Sequence, residues 1–476
     1  DQPASLVFVK ALDEGNPDSL VAFRDEVFQL EAPFDEMPKS MLKTQNRFSS
    51  IIWGNKNLAI AYDYWWNTRN KRTYLFNPAL PEGGVDLLFD QNYQDAYNDP
   101  GSFITRKNKL GRKVLALKGS RAYLKGDGFS DEGQFPFLDE INLKSKIKNR
   151  LYQSDYKNKL ERFIDYDIDE NQLLVRIESP NDYPNYFIRD FDQGDLKQMT
   201  QFENPFISIK DIHKEVISYK RADGLELSAT LYLPVGYDKE KKEKMPMILW
   251  AYPREFKDPS SAAQKTSNSN TFTYPNYGSP IYWVTKGYVI MDRASFPILG
   301  VGDTEPNDTF IKQLVGNAKA AIDAADALGY IDRKRVAVGG HSYGAFMVAH
   351  LLSNSDLFAA GIARSGAYNR TLTPFGFQSE QRSYWEAPEI YYNMSPFMHA
   401  DKMKTPLLLT HGEADNNSGT YPMQSIRYFN ALKGLGAEVR LVLLPKESHG
   451  YRAKENILHL LWEQDQWLEK YVKNKD

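Results

Sequence analysis

The chain of 476 residues contains no cysteine, so disulfide bonds, thiol nucleophiles and cysteine-ligated metals are excluded. It also lacks long apolar runs, and none approaches the ~18 residues that a membrane-spanning helix requires. The first residues, Asp1-Gln2-Pro3, lack the basic and apolar stretches of a signal peptide. The sequence therefore predicts no membrane partner, and the compartment in which the protein works stays open.

Neither sign of charge is in excess. The 59 basic and 62 acidic side chains give a formal net charge of -3. This balance gives no electrostatic reason to expect nucleic acid as a partner, and a small neutral or peptide-like substrate fits it better. No group of His, Asp and Glu has the spacing of metal ligands, so neither a metal nor another cofactor is predicted.

Residues 1–205 have little helical periodicity. They consist of short β-branched and aromatic runs separated by polar turns, which predicts an all-β domain. Three of these runs, beginning at Leu58, Val114 and Leu173, lie 56 and 59 residues apart, and each is followed by a second strand. This repeat length suits the four-stranded blades of a β-propeller. An antiparallel sandwich with irregular loops is the alternative.

The predicted propeller is incomplete. About 205 residues at roughly 57 residues each allow three to four blades, fewer than most closed propellers contain. We therefore expect an N-terminal segment of the same gene product to precede Asp1 and to complete the ring. Such a segment would favour a secreted or periplasmic location over a cytoplasmic one.

From residue 206 onward, apolar runs typical of strands buried on both faces alternate with helical segments. Strands are predicted at 247–252, 288–292, 336–338, 359–363, 407–410 and 439–444, and helices at 311–328, 421–433 and 455–472. This alternation predicts a second domain, residues 206–476, with a mostly parallel sheet and helices on both faces. Such a sheet binds its ligands at the carboxyl ends of the strands.

The pattern Gly-x-Ser-x-Gly occupies residues 340–344, between an apolar strand and an apolar helix. This is the context of a nucleophile elbow, a strained turn that exposes a serine at the end of a strand. Small residues must flank that serine because strand and helix crowd together there. Gly340 and Gly344 supply them, so Ser342 is the candidate nucleophile. An ordinary glycine-rich turn is the alternative.

A carboxylate and a histidine, Asp415 and His449, each follow a later predicted strand. A serine hydroxyl needs a neutral imidazole to take its proton, and the imidazole needs a carboxylate to orient it. The order serine, acid, histidine is that of α/β-hydrolases, which makes Ser342, Asp415 and His449 the predicted triad. His449 is also favoured by elimination, because the other six histidines, among them His411, read as packed, helical or surface residues. Glu413, in the same loop as Asp415, stays open as the acid.

Attack on a carbonyl group creates an oxyanion, which needs hydrogen-bond donors already in place. The backbone N–H of Tyr343 is one donor by its position in the elbow. The second is expected after strand 247–251, where Tyr252 is followed by a proline that has no N–H. We therefore predict the Tyr252 hydroxyl as the second donor. The alternative is that Tyr252 is only a packed aromatic residue.

Four segments together resemble the prolyl oligopeptidase family. They are GGHSYGAFM at 339–347, AYPREFK at 251–257, HGEADNNSGT at 411–420 and SHGY at 448–451. The segment ARSGAYNRTLTP at 363–374 resembles the glutamyl endopeptidase branch of that family. The resemblance implies a serine peptidase for small peptides, with an α/β-hydrolase domain capped by a propeller. Because family members have a longer front half, this chain resembles a carboxyl-terminal portion.

The branch resemblance also implies a preference for Glu or Asp before the scissile bond. A buried carboxylate must be paired with a cation. Arg370 and Arg364 are the cations in the matching segment, and Arg370 is favoured. The alternative for either arginine is that it supports its loop by bonding carbonyl oxygens. Asn417 matches a family position that holds a substrate carbonyl.

Other functions stay open at this point. The family resemblance also allows a dipeptidyl or acylaminoacyl peptidase, and the triad alone allows an esterase for small acyl esters. A third alternative is an inactive binding module that keeps the hydrolase fold. The intact serine, acid and histidine argue against it.

Overall fold

The computed structural model describes residues 5–80 and 84–474. The chain divides into two compact units. The N-terminal unit comprises Asp1–Ser179 and Tyr183–Phe202, and the C-terminal unit comprises Pro180–Asp182 and Glu203–Asp476.

The described part of the N-terminal unit is built of antiparallel strands. They are β1 (Ser5–Ala11), β2 (Asp25–Glu31), β3 (Lys39–Thr44), β4 (Arg47–Asn55), β5 (Leu58–Trp65), β6 (Asn70–Phe76), β7 (Val85–Asn92), β8 (Ser102–Phe103), β9 (Thr105–Lys107), β10 (Lys113–Leu115), β11 (Arg121–Gly126), β12 (Phe129–Ser130), β13 (Gly133–Gln134), β14 (Phe137–Asn142), β15 (Lys148–Gln153), β16 (Leu160–Asp167), β17 (Gln172–Glu178), β18 (Asn185–Asp190) and β19 (Asp195–Gln198). The larger sheets, in chain order, are β1–β2–β3, β4–β5–β6–β7, β8–β11–β14–β15 and β16–β17–β18–β19.

Each of these sheets packs face to face against the next, because side chains alternate between the two faces of a strand. In β5, Ala59 and Ala61 pack into a core shared with the first sheet, whereas Ile60 between them packs into a core shared with the third. In β11, Leu124 belongs to the core shared with the second sheet and Tyr123 to the core shared with the fourth. Stacked four-stranded sheets are the blades of a propeller, so the predicted all-β, partly propeller-like fold is confirmed.

One of the three repeated runs is not a blade strand. Leu58 begins β5 and Leu173 lies in β17, and each of these strands is second in its four-stranded sheet. Val114 instead lies in β10, which pairs with β9 in a two-stranded sheet between β8 and β11. The interpretation of the run at Val114 was therefore wrong. Buried residues of the hairpin, such as Leu115, give it the apolar pattern of a blade strand.

The C-terminal unit alternates strands and helices. Its strands are β20 (Lys214–Lys220), β21 (Glu226–Tyr232), β22 (Met245–Ala251), β23 (Arg254–Phe256), β24 (Val289–Ala294), β25 (Pro297–Leu299), β26 (Ile331–His341), β27 (Ala360–Arg364), β28 (Leu407–Gly412) and β29 (Val439–Leu444). Its α-helices are α1 (Pro259–Ala262), α2 (Phe310–Ala327), α3 (Tyr343–Asn354), α4 (Pro388–Asn393), α5 (Met423–Gly434) and α6 (Lys454–Leu468).

Eight of these strands form one sheet in the order β20–β21–β24–β22–β26–β27–β28–β29. The last six strands in this order, β24, β22, β26, β27, β28 and β29, run parallel to one another. At one edge, β20 pairs antiparallel with β21, and β21 pairs antiparallel with β24. In the central β26, Val336 and Val338 pack on the face covered by α2, α3 and α5, whereas Ala337 packs on the face covered by α6. Full burial of a valine side chain such as that of Val338 contributes ~1.5–3 kcal/mol to the free energy of unfolding. The predicted parallel sheet with helices on both faces is confirmed.

The long predicted helices lie close to their expected places, as α2, α5 and α6. Across residues 5–80 and 84–474, the structure contains no helix of the length and apolarity needed to cross a membrane.

Candidate active site

Ser342 lies in a strained turn between β26 and α3. Its backbone has φ 58° and ψ -116°, a left-handed conformation that a residue with a side chain rarely adopts. The crossing of strand and helix is tight, because a Cβ atom on Gly340 would lie 2.4 Å from backbone atoms of Gly344. The Ser342 N–H donates to the Arg364 carbonyl at 2.8 Å, which ties the turn to β27. The backbone thus holds Ser342 at the carboxyl end of the sheet.

Asp415 lies in the loop after β28 and is buried. Its Oδ2 accepts a hydrogen bond from His449 Nδ1 at 2.8 Å, and its Oδ1 accepts one from the Asn417 N–H at 3.0 Å. Burial by itself raises the pKa of Asp415, but hydrogen bonds, chiefly from His411 and His449, outweigh burial and lower it to about 2. The carboxylate is therefore ionised at neutral pH. Glu413 is exposed, and the carboxylate bonded to His449 is that of Asp415.

His449 lies in the loop after β29, and about a quarter of its side chain is exposed. Because Nδ1 donates to Asp415, the neutral ring carries its lone pair on Nε2, as a general base requires. The ring lies 4.9 Å, between centroids, from the ring of His341, the residue that precedes Ser342. The structure thus brings the histidine and its acid to the elbow.

Two hydrogen-bond donors lie beside Ser342. Tyr252 follows β22, is 47% exposed, and packs edge-on against the ring of Tyr343, with the ring centroids 5.9 Å apart. Burial of part of the ring, together with the negative charge of Glu255, raises the pKa of Tyr252, so its hydroxyl stays protonated at neutral pH. The N–H of Tyr343 is the first of α3 and has no acceptor within the helix. Both groups can donate to an oxyanion formed at Ser342.

A cavity of about 210 Å³ opens beside the nucleophile. Its lining includes Ser342, Tyr343, Arg370, Phe377, Asn417 and Thr420. Sites for drug-sized ligands measure ~300–1,000 Å³, so this cavity has room for one side chain rather than for a long peptide.

Arg370 is 4% exposed and contributes a positive charge to this cavity. Its guanidinium carbon lies 4.3 Å from the ring centre of Phe346 and 4.7 Å from that of Phe377. Its Nε is buried without a hydrogen-bond partner, and none of the ion pairs among the described residues includes Arg370. Burial lowers the pKa of Arg370 to about 10, while Tyr343 and Glu255 act in the opposite direction, so the group is charged at neutral pH.

The other two candidates for substrate binding have different surroundings. Arg364 lies outside the cavity lining, and its guanidinium donates to the carbonyls of Tyr277 and Gly278 at 2.5 and 2.9 Å. Both bonds fit the alternative role, in which Arg364 supports a loop by bonding carbonyl oxygens, and a role of Arg364 in substrate binding stays a prediction. Asn417 is exposed and lines the cavity, where its amide can reach a substrate.

The structure adds one residue to the surroundings of the triad. The sequence predicts His411 as packed or as hydrogen-bonded within its loop, and it is both buried and hydrogen-bonded there. The sequence does not reveal one of its partners: His411 Nε2 lies 3.1 Å from Asp415 Oδ2. The available signal is the spacing, because Asp415 follows His411 by four residues across a turn closed by the bond from the Asp415 N–H to the Gly412 carbonyl at 3.1 Å.

Elbow, acid and histidine at the carboxyl edge of a mostly parallel sheet define the class of α/β-hydrolase-fold proteins with a Ser-Asp-His site. Residues 312–475 match the sequence profile of the prolyl oligopeptidase family. Ser342, Asp415 and His449 all lie within the segment that matches this family, and the relatives of the chain include proteins named as glutamyl endopeptidases.

Named relatives extend this result. The chain is 42% identical over 489 residues to a protein named "Probable glutamyl endopeptidase, chloroplastic" from Arabidopsis thaliana, with 99% of this chain and 51% of that protein covered. A protein of the same name from Oryza sativa subsp. japonica is also 42% identical, with 99% and 52% covered. The chain thus spans about half the length of these two curated relatives.

Solved structures share the fold. The acylaminoacyl peptidase of Pyrococcus horikoshii has a TM-score of 0.65 at 18% identity, with 99% of this chain and 70% of that chain covered. A putative dipeptidyl aminopeptidase IV from Bacteroides ovatus also has a TM-score of 0.65, at 15% identity, with 94% and 70% covered. At such identities the likeness shows the fold alone.

Proposed function

We propose that this chain is the catalytic part of a serine peptidase that cleaves oligopeptides after Glu or Asp. One observation carries the acidic preference. Arg370, a buried cation outside every ion pair among the described residues, lines the same cavity as Ser342. The names of the two plant relatives, both glutamyl endopeptidases, point to the same substrate.

In the proposed reaction, Ser342 Oγ attacks the carbonyl carbon of the scissile bond while His449 Nε2 takes the hydroxyl proton. Asp415 stabilises the imidazolium that forms. The Tyr252 hydroxyl and the Tyr343 N–H donate to the oxyanion of the tetrahedral intermediate. When the intermediate collapses, the C–N bond breaks and His449 gives its proton to the leaving amine. A water molecule activated by His449 then hydrolyses the acyl-enzyme.

The side chain before the scissile bond would enter the cavity beside Ser342. A carboxylate there gains charge-assisted hydrogen bonds from Arg370, which gives up little hydration because protein already surrounds it. A neutral side chain of the same shape would leave the guanidinium without its anion. Such differences in hydrogen bonding to a charged group amount to ~1.5–3 kcal/mol.

Two other activities remain as alternatives. A dipeptidyl or acylaminoacyl peptidase would use the same triad with a different substrate terminus, and the solved relatives with such names share this fold. An esterase for small acyl esters would need no cation in the cavity, so Arg370 favours a peptidase. An inactive binding module would not need the Asp415–His449 hydrogen bond.

Covalent labelling with a fluorophosphonate, followed by hydrolysis assays, tests the proposal. We expect the label on Ser342, no label on a Ser342→Ala variant, and faster hydrolysis of peptides with internal Glu than of simple acyl esters. Absence of labelling in the wild-type protein would support the inactive module. Rapid hydrolysis of esters with no cleavage of peptides would support the esterase.

A further inference from the structure

The carboxylate of Asp415 is shared by two imidazole rings. Its Oδ2 accepts from His449 Nδ1 at 2.8 Å and from His411 Nε2 at 3.1 Å. The Thr420 hydroxyl is a third donor to the same oxygen, at 3.3 Å. The reaction proposed above uses only His449, so the second imidazole has no assigned role.

The hydrogen bonds of His411 determine where its proton lies. Nε2 is 2.7 Å from the Thr420 carbonyl oxygen, which can only accept, so Nε2 carries a hydrogen. The same N–H therefore points at both Thr420 and Asp415. Nδ1 lies 2.7 Å from Ser425 Oγ, and in the neutral ring it accepts from that hydroxyl. The Thr420 carbonyl thus fixes the tautomer that donates to Asp415, and the Ser425 hydroxyl supports it by donating to Nδ1.

These contacts connect three parts of the fold that meet at the triad. His411 lies in β28, Asp415 and Thr420 in the following loop, and Ser425 in α5. All four residues are buried, so water does not compete for these hydrogen bonds. The Asp415 side chain is consequently held at both oxygens, since Oδ1 accepts the N–H of Asn417.

We infer that His411 is a positioning residue, whose Nε2–H holds Asp415 Oδ2 in the orientation that receives His449 and whose ring is held in place by the Thr420 carbonyl and the Ser425 hydroxyl. This inference rests on the proposed function. Its structural alternative is a buried histidine that only satisfies the Thr420 carbonyl and packs the strand end. The two roles differ in their effect on the chemical step, because only the positioning role acts through Asp415 on His449.

Three variants separate the roles. His411→Phe removes both ring nitrogens, and His411→Gln keeps an N–H donor at about the same reach. Ser425→Ala removes only the hydroxyl that bonds to Nδ1 and helps to hold the ring. His399→Phe is the control, because His399 is also buried but forms no hydrogen bond to Asp415. Circular dichroism and the unfolding midpoint establish which variants are folded.

Two rates are measured, the rate of fluorophosphonate labelling of Ser342 and kcat for an N-acyl-Glu aminomethylcoumarin amide. We expect His411→Phe to lower both on the order of 10- to 100-fold, the range seen when groups that orient a metal-binding histidine are removed. KM should stay within about twofold, because the residue does not touch the substrate. His411→Gln should recover most of the loss, Ser425→Ala should lose several-fold, and His399→Phe should match the wild type.

The pH profile of kcat/KM also separates the two roles, because a loss of packing alone should not shift it. Without the His411 donor, more negative charge on Asp415 is available to the imidazolium, so the acidic limb should shift to higher pH. His341 and Tyr451 also interact electrostatically with Asp415, and these variants leave both unchanged.

The outcomes are distinct. Wild-type labelling rates in folded His411→Phe, or equal losses in His411→Gln and His411→Phe, would overturn the inference. If His411→Phe does not fold, unchanged rates and pH profile in Ser425→Ala would overturn it instead. A wild-type protein that takes no label would contradict the proposed function itself.

Discussion

In the proposed reaction, Tyr252 and Arg370 would contact different parts of the substrate. The Tyr252 hydroxyl would donate to the developing oxyanion, where charge exists only in the transition state. Arg370, which lines the cavity beside Ser342, would bind a side chain whose charge is the same in the ground state and in the transition state. Substitution of the two residues should therefore change different kinetic parameters.

Replacement of Tyr252 by Phe removes one of the two oxyanion donors and leaves the ring in place. We expect kcat to fall on the order of 10²- to 10³-fold, as for other single oxyanion donors, with little change in KM. Steady-state kinetics with the N-acyl-Glu amide measure both parameters. A kcat within a few-fold of wild type would mean that Tyr252 is a packed aromatic residue and not a donor.

Replacement of Arg370 by Ala removes the cation of the cavity. We expect kcat/KM for a peptide with Glu before the scissile bond to fall ~10- to 100-fold relative to the matched Gln peptide. Arg370→Lys keeps the charge but loses the planar fork, so it should lie between Ala and wild type. Equal losses on the Glu and Gln peptides would show that Arg370 supports the loop instead of binding the substrate.

Among the elements, the β26–α3 elbow and helix α3 form the centre of the C-terminal unit. His350 in α3 is fully buried, and its ring lies 4.5 Å from that of Phe346 and 6.0 Å from that of Phe310. Burial lowers its pKa to about 3. Phe346 also contacts the Arg370 guanidinium, so the packing of α3 supports one wall of the cavity.

The buried imidazole of His350 predicts a loss of stability in acid. An unfolded histidine has a pKa of ~6.5, so below that pH the unfolded chain binds a proton that the folded chain does not bind until about pH 3. The contribution of His350 to the free energy of unfolding is complete above ~6.5 and falls by ~1.4 kcal/mol per pH unit below it. Urea unfolding at several pH values should show a shallower slope in His350→Leu.

The control for this experiment is Leu351→Ala, because Leu351 is also fully buried in α3 but does not titrate. We expect that substitution to lower the stability at every pH and to leave the slope between pH 6.5 and 3 close to the wild-type slope. An identical slope in wild type and His350→Leu would contradict the assignment.

Features formed by residues close together in sequence were predictable, and features formed by contacts between distant residues were not. The elbow was predictable because its glycines and its apolar strand and helix are consecutive in sequence. The place of Val114 was not, because only tertiary pairing separates a blade strand from an inserted hairpin. Likewise, the carbonyls of Tyr277 and Gly278 that bind Arg364 lie about 86 residues away in sequence, and no local pattern reveals them. The hydrogen bond from His411 to Asp415 joins residues only four positions apart, but it forms only because the intervening turn brings the two side chains together.

At the scale of the whole molecule, the first sheet of the N-terminal unit has an exposed apolar face. Leu6 and Phe8 of β1 are 52% and 41% exposed, and they pair with Leu30 and Phe28 of β2 on that face. The opposite face carries Val27, which is buried against the second sheet. We propose that a further sheet of the same gene product covers the exposed face and extends the propeller.

Hydrogen–deuterium exchange of β1 tests this proposal. In a longer gene product that contains the additional sheet, we expect slower exchange of the β1 amides than in the 476-residue chain. Strand β17, whose Leu173 and Val175 are already buried, serves as the internal reference and should exchange alike in both. Equal exchange rates of the β1 amides in the two proteins would indicate that the additional sheet does not cover the apolar face of β1, which would contradict the proposal.

We propose that Ser342 and the Arg370 cavity together cleave peptides after acidic residues. Digestion of a mixed peptide library, with the new termini identified by mass spectrometry, tests both parts of this proposal. We expect cuts to cluster after Glu and Asp and to vanish in Ser342→Ala. Cuts with no enrichment of acidic residues before the bond, or cuts that persist in Ser342→Ala, would contradict it.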